Sequence, residues 1–444
     1  MKKLASFVAE HISDDVTRLI LDRKKWPEVD MDMVVSCIES RKKLKGKVQE
    51  WFDEQRLIFP FKLSAEQCSS SATGRYKAEL AARIAGKSVW NIADLTGGLG
   101  VDSWFFSQRA EKVLYNEMQK PLCDAAEYNF GILGAGNIRI SNHAVTAESA
   151  KDQSCEVSAS PTEILKGFEA DIVYMDPARR GEGGKKVFLI EECTPDVLTL
   201  KDEIFSLSRH MLIKLSPMAD ITMVCERLGT CCREVHVVAS GGECKELLIW
   251  MDREWSGEYV ITAVELHNDG SADSFCFRPS EERSSGSNIL SGKQWLPLAP
   301  SQQAGPLPGG GKMPVPTICS PDNTIFEPGK ALMKAGAFNM IAERFGIGKL
   351  AHSTHYYICN DPEKAEELKK YGKLFRILDC QPLDKRSIKQ AGKTYPNAEV
   401  TARNIPMDTD TLRKKLGVSS GNDIHIFGLK ADSIGNLLFV TTRI

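Results

Sequence analysis

VWNIADLTGGLGVD, residues 89–102, decides the fold. An apolar run ends at Asp94, glycines follow at 97, 98 and 100, and an amphipathic stretch comes next. Glycine permits a tight turn and lets a ligand approach the backbone. The amides at the start of the following helix are free for an anionic group. The dinucleotide fingerprint GxGxxG is not met, because Gly98 and Gly100 fill its first two places and the third falls on Ser103. The next apolar run, KVLYNE, delivers Glu117, where a carboxylate can accept hydrogen bonds from both hydroxyls of a ribose.

Outward from that stretch, short apolar runs alternate with helical segments from about Ser64 to Arg253: VWNIADL, KVLYNE, NIRISN, DIVYMD, HMLIKL, EVHVVAS and ELLIWM. This alternation predicts a parallel, doubly wound α/β sheet, whose ligands bind outside the carboxyl ends of its strands. The last two runs are separated by little more than Gly241 and Gly242, which permits only a hairpin. The sheet is therefore expected to end in one antiparallel edge pair. Residues 1–62 carry apolar positions at helical spacing and read as an N-terminal helical subdomain, with residues 63–253 as the sheet domain. Beyond it come two strand-like runs up to Phe277. A Ser-, Gly- and Pro-rich stretch from Ser284 to Pro328 reads as a long loop, and a helix is expected from Pro328 to Gly346. A helix near Thr409–Leu416 and a closing strand pair, IHIFGLK and NLLFVTTR, complete the chain.

DIVYMDPARRGEGG, residues 171–184, is the second informative stretch. A buried strand brings Asp176 to the same sheet edge as Asp94, and Pro177 stops the strand. Arg179 and Arg180 follow, and two guanidiniums at the mouth of a site can clamp a phosphate. Pairing with Glu182, Glu191 or Glu192 is the alternative.

These motifs resemble the class I S-adenosylmethionine-dependent methyltransferases. The resemblance implies a Rossmann-like sheet of seven strands with the last antiparallel. It implies S-adenosylmethionine as cofactor, with Asp94, Gly98 and Gly100 at its methionine part, Glu117 at its ribose, and Thr96, Gly97, Asp102 and Asp176 among its further contacts. Asn142 stands where the family binds adenine, although the usual residue there is Asp. Gln67, Ser69, Ser70 and Thr73 match the place of a further cofactor-contacting motif; the alternative is an ordinary helix cap starting a helix at Ala78. Asp176-Pro177-Ala178-Arg179 stands where amino-group methyltransferases carry DPPY or NPPY, here without the aromatic. The order Lys77, Asp176, Lys214, Glu246 is similar to the tetrad of ribose 2′-O-methyltransferases, in which a lysine among charges serves as base. Structural ion pairs are the alternative for it.

The C-terminal third resembles bacterial methyltransferases that carry a ferredoxin-like insert, here 254–370 with the long loop, and a THUMP-like domain, here 371–444. THUMP-related modules are associated with RNA, so RNA is the substrate class this resemblance implies. The formal net charge is −2, yet from Ala331 onward 18 Lys and Arg stand against 12 Asp and Glu. Lys385, Arg386, Lys389, Arg403, Arg413, Lys414 and Lys415 are candidates for phosphate contacts; a solvated face is the alternative.

No apolar run is long enough to cross a membrane, and the basic start lacks an apolar core, so neither a membrane partner nor a secretory signal is expected. The 13 cysteines show no CxxC pair, which fits reduced thiols in a cytoplasm and no metal site. Oligomeric state is not legible. The reading is a cytoplasmic methyltransferase acting on rRNA or tRNA, at a base nitrogen or ribose 2′-oxygen. Two alternatives are a non-catalytic RNA-binding protein with a vestigial cofactor fold and a nicotinamide-dependent oxidoreductase, the latter disfavoured by the missing third glycine.

Overall fold

A computed structural model describes residues 1–147, 158–179, 190–286, 288–290, 323–432 and 434–444. Arg180 and Glu182 lie outside the described residues, as do the side chain of Arg179 and most of the long loop. The chain divides into two compact units. Met1–Gly241, Lys245–Val260 and Leu266–Ser271 form the first, and Gly242–Cys244, Ile261–Glu265 and Ala272–Ile444 the second.

The N-terminal segment is helical: α1 (Lys2–Glu10), α2 (Val16–Leu21), α3 (Met31–Leu44) and α4 (Gln49–Asp53). Val8, Leu19, Val34, Ile38 and Ile58 form its core. Arg41 is buried on α3 and donates to the carbonyls of Trp51, Phe52, Glu54, Gln55 and Leu57, closing the turn that follows α4. The two terminal nitrogens of this buried guanidinium are thus met by carbonyl acceptors without a carboxylate, while its Nε has no partner. Two short steps then lead to the sheet: α5 (Lys62–Gln67) and α6 (Ser71–Ala85).

The sheet strands are β1 (Asn91–Asp94), β2 (Lys112–Asn116), β3 (Ile138–Ser141), β4 (Ile172–Met175), β5 (His210–Leu215), β6 (Cys232–Ser240), β7 (Glu243–Asp252), β8 (Val260–Leu266) and β9 (Ala272–Phe277). Between them lie α7 (Val101–Ser107), α8 (Lys120–Ile132), α9 (Pro161–Ile164), α10 (Val197–Leu207) and α11 (Ile221–Leu228). The strand order is β9-β8-β6-β7-β5-β4-β1-β2-β3. Strands β1 to β5 run parallel and β7 runs antiparallel to β5. Every side chain of β4 is buried, as expected for a central parallel strand covered on both faces. Asn129 on α8 exchanges two hydrogen bonds with the backbone of Ile58, tying α8 to the helical segment.

Three expectations are corrected. The sheet has nine strands, not seven, and the hairpin pair is not its edge: β7 inserts between β5 and β6, and β8 and β9 continue past β6. Positive φ at both Gly241 and Gly242 makes the sharp reversal, while a second turn, closed by His267 N donating to Ser271 O, joins β8 to β9. The helix expected from Pro328 to Gly346 is broken. Pro328 ends a strand, and Gly336 adopts a left-handed conformation (φ 79°) that caps one helix before a second begins.

In the second unit the elements are α12 (Pro279–Ser284), β10 (Thr324–Pro328), α13 (Lys330–Ala335), α14 (Met340–Phe345), β11 (Gly348–Lys349), β12 (Tyr357–Cys359) and α15 (Pro362–Leu368). After these come β13 (Gly372–Pro382), α16 (Lys385–Thr394), β14 (Glu399–Arg403), α17 (Thr409–Leu416), β15 (Ile424–Ala431) and β16 (Gly435–Arg443). Its sheet has the order β11-β12-β10-β13-β16-β15-β14, and β14–β15 is a parallel pair. Ile388, Ala391, Leu412 and Leu416 pack α16 and α17 onto Val400, Ile426, Leu438 and Val440.

The two helices approach so closely at Gly392 that a Cβ there would lie 1.8 Å from the Leu416 carbonyl oxygen. Alanine normally favours a helix interior over glycine. Here the sign reverses: Gly392→Ala is expected to destabilise the protein by about 1–3 kcal/mol, from overpacking against backbone. Urea unfolding checks this, and an unchanged or raised midpoint would contradict the close crossing.

Candidate functional site

The carboxyl ends of β1, β2 and β4 carry the glycine turn, Glu117 and Asp176 to one edge of the sheet. Asn116, fully buried, donates to the carbonyls of Leu95 and His143 and accepts from His143 N. One carboxamide thus ties together the chain leaving β1, β2 and β3. Gly97 N donates to Asn116 O at 2.7 Å. A side chain at Gly97 would strike the Tyr115 ring, one at Gly100 the Phe130 ring, and Gly98 and Gly100 have φ of 54° and 91°. The turn is therefore cramped from below and accepts only glycine. Tyr115 OH donates to Gly98 O at 2.6 Å and Glu117 accepts from Gly98 N at 2.9 Å and Gln119 N at 2.8 Å. Burial raises the Glu117 carboxyl above its ordinary value against the pull of those amides. Asn142 donates to the carbonyls of Glu117 and Met118, so its amide group is bound to the end of β2.

Asp94 accepts from Thr96 N (3.1 Å) and Ser103 Oγ (2.6 Å), and burial pushes its carboxyl up to about 7. Asp102, as deeply placed, moves the other way. Burial raises it, but Lys77 and Lys214, with hydrogen bonds from Tyr174 and Ser69, hold it below its ordinary value. Tyr174 OH and Ser69 Oγ each donate to Asp102 Oδ2 at 2.9 Å.

Lys77 is fully buried on α6. Its ammonium donates to Ser69 Oγ (2.6 Å) and to both Glu246 oxygens (3.1 and 3.0 Å), and lies 3.1 Å from Asp102 Oδ1. Lys214 on β5 donates to Asp176 Oδ2 at 2.5 Å. Burial opposes its charge, yet Asp176, Glu246 and Asp102 together raise it above the ordinary lysine range. Asp176 is more open, 37% exposed at its side chain, and its backbone N donates to Thr96 Oγ1 at 2.6 Å. Pro177 behind it is buried.

Lys77, Asp176, Lys214 and Glu246 thus meet in one ionic cluster with Asp102 and Ser69. Ser70 and Thr73 exchange the hydrogen bonds of a capping box, and α6 starts at Ser71, not Ala78. Gln67 is exposed at the end of α5. Of the acids offered as partners to the arginines, Glu191 pairs with Arg227 at 2.9 Å. Asn116, Ser103 and Tyr174 were not singled out from sequence. Their partners are remote in the chain and no local pattern marks them.

Among the described residues no group of three or more His, Cys, Asp and Glu could hold a metal ion, and none of the eleven described cysteines is in a disulfide. No described helix is long and apolar enough to cross a membrane. Lys385, Arg386, Lys389, Arg403, Lys414 and Lys415 are exposed, whereas Arg413 pairs with Glu399 at 3.1 Å.

Residues 325–365 match a ferredoxin-like domain and 372–443 a THUMP-like domain. The crystal structure of a candidate methyltransferase from Porphyromonas gingivalis W83 is 26% identical, superposes with a TM-score of 0.79, and covers 100% of this chain and 98% of its own. The chain has a methyltransferase fold. Ferredoxin-like and THUMP-like domains stand at the C-terminal end of this methyltransferase-type chain. Partial likenesses reach an rRNA methylase from Streptococcus thermophilus (11% identity, TM-score 0.28, 40% of this chain and 93% of that one). They also reach a candidate methyltransferase from Streptococcus mutans in complex with SAH (13%, 0.26, 39% and 96%). No curated protein is similar to the chain in sequence.

The Asp94 shift makes a testable statement. Its folded value lies above the unfolded carboxylate value of 3.8, so the folded state holds the extra proton and stability falls as pH rises from about 4 to 7. Each pH unit in that window is worth up to about 1.4 kcal/mol. Asp94→Asn should remove this slope: urea midpoints at pH 5 and pH 7 should converge relative to wild type, and parallel pH profiles would contradict the assignment.

Proposed function

We propose that the protein is a cytoplasmic S-adenosylmethionine-dependent RNA methyltransferase. The observation that carries this reading is the pairing of the glycine-only turn with Glu117 at one strand end and Asp176 with Lys214 at the neighbouring one, in a chain with a methyltransferase fold. The residues suit the cofactor. Gly98 and Gly100 bring backbone within reach of the methionine part, Glu117 suits the ribose, and Asn142 stands at the adenine end. Asp94, Thr96, Gly97, Asp102, Gln67, Ser69, Ser70 and Thr73 are assigned to the same cofactor site on this reading. The cofactor would supply an activated methyl group, and the chain would supply alignment and a dry setting. The THUMP-like match and the exposed Lys385, Arg386, Lys389, Arg403, Lys414 and Lys415 support RNA as the polyanion captured. Arg179 and Arg180 are proposed at the substrate phosphate.

Two target atoms each have an observation in their favour. Lys214 is held charged by three carboxylates, and an ammonium cannot take a proton. That favours a base nitrogen, which needs Asp176 only to orient it. The meeting of Lys77, Asp176, Lys214 and Glu246 favours the 2′-oxygen instead.

Asp176→Ala is expected to lower methyl transfer at least about 100-fold while calorimetry still detects S-adenosylmethionine. Undiminished turnover would refute the role of Asp176. Wild-type protein that binds no S-adenosylmethionine would instead favour the vestigial, non-catalytic reading. Mass spectrometry of RNA from cells with and without the protein identifies the product. A methylated base atom excludes the 2′-O route, while a 2′-O-methyl ribose that disappears in Lys214→Ala establishes it.

A further inference from the structure

From Gln67, the last residue of α5, the chain crosses through Cys68, Ser69 and Ser70 to α6 beside the ionic cluster, and both ends of this crossing are held by the turn between α3 and α4. Lys47 Nζ donates to Glu66 O at 2.6 Å and Ala65 O at 3.2 Å, two carbonyls in the last turn of α5. The carbonyl of the same residue accepts from Ser71 N at 2.8 Å, the first amide of α6. Helix ends leave such groups without partners, and here one residue serves two helices at once. Glu50 adds a second hold: it accepts from Ser71 Oγ at 2.5 Å and pairs with Arg75. On the inner side Ser69 is gripped by Lys77 and Asp102. Lys47 is within electrostatic reach of Cys68, Lys214 and Lys245, so this hold is made beside the proposed reaction site.

We propose that Lys47 is a positioning residue for the reaction: the N-terminal helical segment, through Lys47 and Glu50, stretches Gln67–Ser70 into place and so sets Ser69 against the Lys77–Asp102 pair that walls the cofactor site. A plain helix cap would need only the ammonium. The second bond from the Lys47 carbonyl, and the parallel hold by Glu50, fix the far end of the segment as well. The inference rests on the methyltransferase reading, since it concerns the wall assigned to S-adenosylmethionine.

Lys47→Met keeps the length of the unbranched stem up to Cε and removes the ammonium donors. Full-length Lys47→Met protein is expected to bind S-adenosylmethionine about 10-fold more weakly by calorimetry, and Lys47→Arg to restore binding to within about 2-fold, a loss and rescue that correspond to one strong hydrogen bond. In methylation of total RNA from cells lacking the protein, KM for S-adenosylmethionine should rise more than kcat falls. Hydrogen exchange at amides 67–71 should quicken in Lys47→Met without any cofactor, an arm independent of activity. Unchanged affinity together with unchanged exchange overturns the proposal. If Lys47→Met does not fold, Ser71→Ala, which deletes only the hydroxyl bond to Glu50, carries the same test: weaker binding and faster exchange support it, and wild-type values for both overturn it. Wild-type protein that fails to bind S-adenosylmethionine fails the functional reading, and only the exchange arm then judges the positioning claim.

Discussion

The whole arrangement turns on one buried ammonium. Lys77 has no solvent contact and is surrounded by Glu246, Asp102 and Ser69, which come from β7, α7 and the crossing before α6. Burying a charge is costly unless it is paired and hydrogen-bonded, and removing one partner leaves the others exposed to that cost. The four elements are consequently held in one geometry by a single group. The helix that carries Lys77 begins at Ser71, and the strand that carries Glu246 is the antiparallel one inserted beside β5. Sheet topology and site geometry are therefore the same fact seen twice: without β7 between β5 and β6, Glu246 would not reach Lys77.

The charges around this ammonium divide the site into two regions with different character. Asp94 meets neutral donors and drifts toward the protonated form, whereas Asp102 meets Lys77 and Lys214 and stays ionised. Glu246, fully buried, is raised by burial and drawn back by the same two lysines. The floor under the glycine turn is thus close to neutral, and the wall shared with Asp176 is strongly ionic.

The fold was legible where it depends on local pattern. Residues 89–102 fix the first strand, turn and helix because glycine at 97 and 100 answers to the rings of Tyr115 and Phe130 pressing from below. Helix Thr409–Leu416 and the closing pair β15–β16 follow from periodicity alone. What escaped depends on partners far along the chain. The runs at 260–277 read as strands, but no pattern says which edge they join. Gly336 lies inside a helical run, and only its left-handed conformation shows that it ends one. Asn116 reads as the tail of an apolar strand, yet its side chain binds carbonyls 21 and 27 residues away. Lys47 sits in the stretch RKKLKGK, where no motif marks it, and its partners are 18 and 19 residues distant.

The same geometry constrains the chemistry more tightly than the motif does. A lysine that serves as base must give up its proton in the resting site, which requires burial to outweigh its charged neighbours. At Lys214 the balance runs the other way, because Asp176 lies against it and Glu246 and Asp102 stand behind. Asp176 is meanwhile the most open member of the cluster and the one whose backbone is pinned, through Thr96, to the glycine turn. On the proposed methyltransferase reading, a half-buried carboxylate on a fixed backbone, backed by a charged lysine, suits a donor group such as an exocyclic or ring N–H. A neutral hydroxyl would find an acceptor there but no group ready to remove its proton, unless substrate binding first separates Lys214 from Asp176.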